Sequence, residues 1–173
     1  MKKAIKDRPQ EVENRKTFGH WELDTMVSSR GQSKGCLATF VERKTRFYVA
    51  IKMDDRTKNS MFLAISSLYN TLTSKLLKTF TVDRGKKFAC FEQVENEFGI
   101  PMYFADAYAA WQRGSNENSN GLLREFFPKK TDLAKVTLDK LTEALVLINN
   151  RPRKCLGFKT PFDMFKHEIK KLI

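Results

Sequence analysis

The sequence predicts a mixed α/β fold in which one sheet is flanked by helices. After a charged start, β-branched and alternating segments fill the first third of the chain, and an apolar period of 3.6 residues begins near residue 59. Strand-like segments then alternate with helix-like ones, which is typical of a mixed sheet. The 173 residues, 41% of them hydrophobic, suffice for one domain with a sizeable core. We place a charged lead-in at residues 1–17 and the domain at 18–173.

Three strands are expected to open the sheet. The segment "HWELDTMVS" (20–28) alternates between an apolar face and a polar face that carries Asp24. The segments "CLATFV" (36–41) and "FYVAIKM" (47–53) are rich in β-branched and aromatic residues, and the charged "ERKTR" between them indicates a hairpin turn. Because the links are short, the three strands are predicted to form an antiparallel meander.

The rest of the chain is predicted to alternate helices with short strands. Gly99 is expected to end one helix, and Thr137 and Thr160 are expected to cap two others. The predicted strands cover 78–83 and 102–106, and the predicted helices cover 59–76, 89–99, 116–127, 137–148 and 160–171.

The charge of the chain favours a polyanionic partner. Lys and Arg number 32 against 20 Asp and Glu, a net charge of +12. Solubility alone would be the ordinary explanation, but the charge is clustered near the C-terminus, which favours nucleic acid. An anionic membrane ranks behind, since no basic amphipathic segment and no apolar run of membrane length is present. We expect a cytoplasmic protein without a membrane partner.

The cysteines argue against a zinc site and against disulfides. Cys36, Cys90 and Cys155 are isolated and odd in number, and only His20 and His167 could join them. No zinc-binding spacing results, so reduced and mostly buried thiols are expected.

Four acidic residues stand where a carboxylate could serve chemistry. Asp24 lies inside the first strand, Asp83 and Asp106 end later strands, and Glu117 enters the helix at 116–127. Each has an ordinary explanation as a strand-face residue, a turn residue or an acid near a helix N-terminus. Together they can converge at one sheet edge, where they would repel DNA unless a cation lies between them.

Such a set of oxygen ligands suits Mg²⁺ or Mn²⁺. Two of these ions about 3.5–4 Å apart are suited to phosphodiester displacement. Glycosidase chemistry with paired carboxylates is a formal competitor, but it does not explain the positive charge. Because converging carboxylates repel each other, we expect Asp-to-Asn changes here to raise the stability of the metal-free protein slightly.

Five motifs in order resemble one known family. The chain is similar to the catalytic cores of DDE transposases and retroviral integrases, and most closely to the IS-thirty family of bacterial insertion-sequence transposases. The resemblance spans about residues 18–165 and is most specific in its fourth motif. The motifs are "GHWELD" (19–24), "LATFVERKTRF" (37–47), "TVDRGKKF" (81–88), "YFADAYAAWQRGSNENSNGLLREFFPK" (103–129) and "NNRPRKCLGFKTP" (149–161).

Carried over residue by residue, the resemblance implies catalytic and metal-binding roles for Asp24, Asp83 and Glu117, with Asp106 outside this triad. It implies a ribonuclease-H-like fold with a five-stranded mixed sheet, and Mg²⁺ or Mn²⁺ as cofactor, with two ions expected. The implied activity is DNA strand cleavage and 3′-hydroxyl strand transfer during transposition. The implied partners are transposon ends, target DNA and further copies of the chain, at least a dimer. The implied location is the bacterial nucleoid.

Several polar residues are predicted to contact DNA. Asn120 and Arg124 share one helical stripe with Glu117, so we expect Asn120 to hydrogen-bond near the DNA and Arg124 to meet phosphate. Arg113 could do the same, or form a surface salt bridge. The basic C-terminal part adds three further candidates: Arg151, Arg153 and Lys154.

The sequence also departs from the family pattern. Arg84 and Lys87 stand where Asn and Glu are expected, and the loop has Ala107 and Ala110 in place of prolines. Strand alternation is expected to direct Arg84 away from the face of Asp83. Two alternatives therefore stay open, a catalytically decayed DNA-binding remnant and another ribonuclease-H-like nuclease. Since only 18 residues precede "GHWELD", we expect a catalytic domain without the end-reading region, or the product of a split or decaying gene.

Overall fold

A six-stranded mixed sheet organises the chain. The computed structural model describes all 173 residues. The strands are β1 (Lys3–Ala4), β2 (His20–Val27), β3 (Cys36–Glu42), β4 (Tyr48–Met53), β5 (Thr79–Val82) and β6 (Met102–Phe104). Their spatial order is β1-β6-β5-β2-β3-β4. The β2–β3 and β3–β4 pairs are antiparallel, as the predicted meander requires, and the β2–β5, β5–β6 and β6–β1 pairs are parallel.

The sheet has one strand more than the five predicted. The sixth is β1, which comes from the charged lead-in and pairs Lys3 with Tyr103 and Ala4 with Phe104. Two residues are too few to show an alternating pattern, so this strand leaves no signal in the sequence. The lead-in also buries Ile5 and Val12. It therefore covers the edge of β6 that would otherwise be open.

The helices lie close to their predicted positions. The first long helix ends at Thr71 rather than at residue 76, because Leu72 is extended and Ser74–Leu76 form a separate 3₁₀ turn. Thr137 and Thr160 cap their helices by accepting backbone N–H bonds, and Gly99 ends another at φ 68°, as predicted. The helices are α1 (Gln10–Glu13), α2 (Lys58–Thr71), α3 (Phe91–Phe98), α4 (Gly114–Phe126), α5 (Leu138–Asn149) and α6 (Pro161–Lys171).

Two hydrophobic clusters lie on opposite faces of the sheet. One packs α2 and α3 against residues such as Trp21 and Phe80, and the other packs α4 and α5 against residues such as Met26 and Leu37. Because Met26 and Asp24 are two residues apart on one strand, Asp24 faces α4. None of the helices combines the length and apolar character needed to cross a bilayer.

The cysteines are free, as predicted. Cys36 and Cys90 are buried, and burial raises the pKa of each thiol to about 11. Cys155 is exposed.

Candidate active site

The fold brings Asp24 and Asp83 to neighbouring positions on the adjacent strands β2 and β5. Strand β2 runs parallel to β5, with Glu22 opposite Thr81. Continuing this register by two residues places Asp83, directly after β5, opposite Asp24. The convergence of these two carboxylates follows from the parallel pairing of their strands.

Two cations connect the carboxylates. Lys87 Nζ lies 3.1 Å from Asp83 Oδ2 and 3.5 Å from Asp24 Oδ1. Arg113 Nη1 lies 3.3 Å from Asp24 Oδ2, and its Nη2 lies 3.8 Å from Asp83 Oδ2. The side chains of Lys87 and Arg113 are only 5% and 15% exposed. Two negative and two positive groups therefore compensate each other at a partly buried site.

A tight turn after β5 holds Asp83 and Lys87 together. Asp83 Oδ1 accepts the backbone N–H of Gly85 at 2.7 Å, and residues Lys86–Cys90 then form a 3₁₀ helix anchored by the buried Phe88. A Cβ at position 85 would lie 2.7 Å from the same Oδ1, so any other residue there would displace the Asp83 carboxylate from its place. The turn thereby directs the Lys87 side chain back to Asp83.

These contacts set the protonation of Asp83. Burial alone would raise its pKa, but Lys87, the Gly85 N–H and Arg113 outweigh burial and lower the pKa below its usual value. Asp83 is therefore a carboxylate at neutral pH.

Glu117 lies above this pair on helix α4. Arg113 and Asn120, one turn before and one turn after it, both contact Asp24. The helical period puts Glu117 on the same stripe. Its side chain is exposed and has no ion pair or hydrogen bond within the chain. No group of three His, Cys, Asp or Glu side chains is close enough to hold a metal ion, so the structure brings Asp24 and Asp83 together without Glu117.

The asparagines that open α4 attach the helix to the sheet. Asn116 is buried, donates to the Glu22 carbonyl at 2.9 Å and accepts from the Thr39 hydroxyl at 3.1 Å. Asn120 accepts from the Tyr48 hydroxyl at 2.6 Å, and its amide nitrogen lies 3.5 Å from Asp24 Oδ2. The polar helix start thus docks on a polar strand face.

Asp106 occupies the rim of the site. Its backbone N–H donates to Gln112 Oε1 at 2.8 Å, and its carboxylate accepts from Gln112 Nε2 at 3.0 Å. It lines a cleft of 470 Å³ together with Asp83 and Arg113, without contacting either. Its place outside the triad remains a prediction.

The residues predicted to bind DNA have mostly intramolecular partners. Arg113 forms ion pairs with the carboxylates of Asp24 and Asp83, and Arg124 donates to the Val27 carbonyl at 2.8 Å. Arg153 is buried and donates to the Ile148 carbonyl. Arg151 forms an exposed ion pair with Glu125. Lys154 is exposed without a partner, and DNA contacts by this group of residues remain a prediction.

The two departures from the family pattern differ in their surroundings. Arg84 Nε donates to the Ala105 carbonyl at 3.0 Å, and the side chain forms no ion pair with Asp83 or Glu117, which agrees with the strand alternation. Lys87, in contrast, bridges the carboxylates. Sequence reasoning missed this role, and the spacing of four residues from Asp83 was the available signal.

The carboxylate oxygens fit a hard divalent ion. Asp24 and Asp83 already converge on positive charge, and the exposed Glu117 lies on the helix stripe above them. Oxygen donors of this kind select Mg²⁺ or Mn²⁺. Lys87 and Arg113 supply this positive charge in the structure, so a metal ion would compete with their side chains for the same carboxylate oxygens.

Comparisons with known proteins place these features in context. Residues 14–110 match the family model of the integrase core domain. Over 165 residues the chain is 39% identical to the transposase InsI for insertion sequence element IS30A of Escherichia coli (strain K12), covering 95% of this chain and 42% of that protein. It is 35% identical over 161 residues to the transposase for insertion sequence element IS1086 of Cupriavidus metallidurans, covering 93% and 47%. The chain thus spans less than half the length of these relatives.

Solved structures share the fold. The catalytic core domain of BIV integrase superposes with a TM-score of 0.69 at 20% identity, covering 91% of this chain and 100% of that one. The HTLV-2 integrase catalytic core domain in complex with magnesium (trimeric form) gives 0.64 at 18% identity, covering 84% and 95%. The mixed sheet flanked by helices is therefore the integrase-core, ribonuclease-H-like architecture.

Proposed function

This chain belongs to the integrase core domain family, and we propose that it catalyses metal-dependent DNA strand cleavage and 3′-hydroxyl strand transfer during transposition. The observation that carries the proposal is the convergence of Asp24, inside β2, with Asp83, directly after the neighbouring strand β5, while Glu117 lies on the helix stripe above them. The net charge of +12 supports a DNA substrate.

Within this proposal, Asp24, Asp83 and Glu117 hold Mg²⁺ or Mn²⁺, and two ions are expected. Bound divalent ions of this kind supply Lewis acidity and an activated oxygen nucleophile for phosphodiester chemistry. The Gly85 N–H fixes one oxygen of Asp83, and Asn120, itself held by the Tyr48 hydroxyl, lies against Asp24. These contacts hold the carboxylates in place before substrate arrives.

Removing one carboxylate tests the proposal. Asp83→Asn is expected to abolish Mn²⁺-dependent cleavage of duplex DNA, because it removes a metal ligand. The expected stabilisation of the metal-free protein assumed repulsion between unpaired carboxylates, whereas the structure pairs Asp83 with Lys87 and Arg113. The melting temperature should therefore fall, because Lys87 keeps a single partner.

Asp139→Asn is the matched control for that experiment, because Asp139 is exposed on α5 and has no ion pair. It should cleave DNA like the wild type. Cleavage retained by Asp83→Asn would remove Asp83 from the site.

A second candidate function is a DNA-binding remnant without turnover. Two cations favour this second function. Lys87 and Arg113 already pair with Asp24 and Asp83, so a metal ion must compete with them for the carboxylates. The candidates differ in metal binding: an active core should gain melting temperature with Mn²⁺. Unchanged melting at millimolar Mn²⁺ would favour the remnant.

The proposed partners are transposon ends, target DNA and further copies of the chain, at least as a dimer. Solved relatives of the fold include the HTLV-2 core in trimeric and dimeric forms, which supports a homo-oligomer here. Phosphate contacts would make DNA binding by this domain largely independent of sequence. A cytoplasmic, nucleoid-associated location and a functional boundary between the lead-in and residues 18–173 remain predictions.

A further inference from the structure

Two clefts meet at one residue beside the carboxylates. The first is the 470 Å³ cleft that Asp83 and Arg113 line. The second, of 540 Å³, lies between the β2–β3 loop and the segment joining β4 to α2. Arg56 lines both. The clefts therefore adjoin at Arg56, and together they give a path from the β2–β3 loop to the candidate active site.

Four cations on this path are free to bind a ligand. Arg30, Lys34, Arg56 and Arg84 are exposed, and none forms an ion pair. Arg84 uses only its Nε, which donates to a backbone carbonyl at 3.0 Å. In contrast, Arg124 and Arg153 donate to carbonyls of the fold, and Arg113 pairs with carboxylates. Freedom from ion pairs, with only Arg84 forming a hydrogen bond, distinguishes these four from Arg113, Arg124 and Arg153.

The acidic groups along the path do not cancel this charge. The two clefts together are lined by six cations and three carboxylates. Asp55 accepts hydrogen bonds from the hydroxyls of Thr57 and Ser60 and from the Thr57 N–H, and these bonds lower its pKa. Asp83 is compensated by Lys87 and Arg113, and Asp106 accepts from Gln112. The net charge of the residues along the path is therefore positive.

We propose that Arg30, Lys34, Arg56 and Arg84, here called the basic strip, bind the phosphate backbone of duplex DNA and lead it to Asp24 and Asp83. The inference rests on the proposed function. It adds the position of the DNA on the protein and the side chains that bind it. Guanidinium and ammonium groups neutralise phosphates without reading bases. Each such neutralisation releases condensed counterions, so the strip should dominate the salt dependence of DNA binding.

The test compares two triple variants with equal charge changes. The strip variant replaces Lys34, Arg56 and Arg84 by glutamine. The control replaces by glutamine three exposed lysines that line neither cleft and form no ion pair: Lys75, Lys140 and Lys170. Binding of a short duplex of arbitrary sequence is measured by fluorescence anisotropy at several salt concentrations, without divalent ions.

The strip variant is expected to bind DNA with a shallower dependence of log K on log salt. The slope should decrease in magnitude by about 0.9 for each phosphate that is no longer neutralised, and the affinity should fall by about tenfold or more. The control should keep the wild-type slope. Equal effects in both variants would overturn the strip while leaving the proposed function intact, whereas a wild type that binds no DNA would overturn the proposed function itself. If the triple variant unfolds, the exposed single change Arg56→Gln should still reduce the slope by about 0.9.

Discussion

Replacing Lys87 by glutamine is expected to tighten Mn²⁺ binding by about tenfold to a hundredfold, on the order of 1–3 kcal/mol. Lys87 Nζ contacts the same Asp24 and Asp83 oxygens that would hold the ion. Two like unit charges 4 Å apart repel by about 4 kcal/mol at an effective dielectric of 20, and movement of the lysine relieves part of this. Calorimetric titration with Mn²⁺ measures the change.

The same substitution should lower the melting temperature of the metal-free protein. Without Lys87, Asp24 and Asp83 share Arg113 alone, which compensates their mutual repulsion only in part. A cation that stands in for the metal ion should have opposite effects when it is removed: the affinity for Mn²⁺ rises and the stability of the metal-free protein falls. A general loss of packing would weaken both.

Lys86→Gln is the control, because Lys86 is the exposed neighbour with no ion pair and the charge change is identical. It should alter neither quantity appreciably. Equal Mn²⁺ affinities for the two variants would show that Lys87 does not compete with the ion.

The second large effect is expected when the buried ion pair of Arg43 with Glu22, a residue two positions before Asp24 on β2, is broken. Arg43 Nη1 donates to Glu22 Oε2 at 3.0 Å, and the two side chains are 4% and 0% exposed. Arg43→Met keeps the aliphatic stem but leaves the buried Glu22 carboxylate with only Arg15, 3.9 Å away, and the backbone N–H of Asn116, 3.4 Å away. Breaking such a pair from one side costs about 3–5 kcal/mol. Chemical denaturation measures this loss of unfolding free energy.

Two further variants make that measurement specific. Adding Glu22→Gln to Arg43→Met should recover much of the stability, because no uncompensated charge remains. Arg151→Met breaks the exposed pair with Glu125 and should cost at most about 1 kcal/mol. A loss from Arg43→Met as small as that from Arg151→Met would mean that solvent reaches Glu22.

The carboxylates could be placed from the sequence because their positions depend on local patterns. Asp24 lies in an alternating strand, Asp83 ends another, and the parallel register of the two strands sets the residues side by side. Glu117 could be assigned to a helix stripe for the same reason. Its distance from the other two depends on how α4 packs on the sheet, which a one-dimensional period does not encode.

The cations were harder to predict, because their partners are distant in the chain. Arg113 pairs with Asp24, 89 positions away, and nothing near either residue indicates the contact. Lys87 is four residues from Asp83, but that spacing is usually informative on an α-helix, and here a glycine turn and a 3₁₀ helix create it. The strand at Lys3–Ala4 was missed because two residues carry no periodic pattern.

The docking of the lead-in has a consequence for the order of folding. Lys3 pairs with Tyr103, and Arg15 donates to the Ser115 hydroxyl, so both contacts join residues 100 positions apart. During synthesis residues 3–15 leave the ribosome long before residues 103–115 are made, and closing so long a loop costs entropy. The β2–β3–β4 meander can form first from contacts between neighbouring strands. The lead-in therefore docks after the meander, although it precedes the meander in the chain.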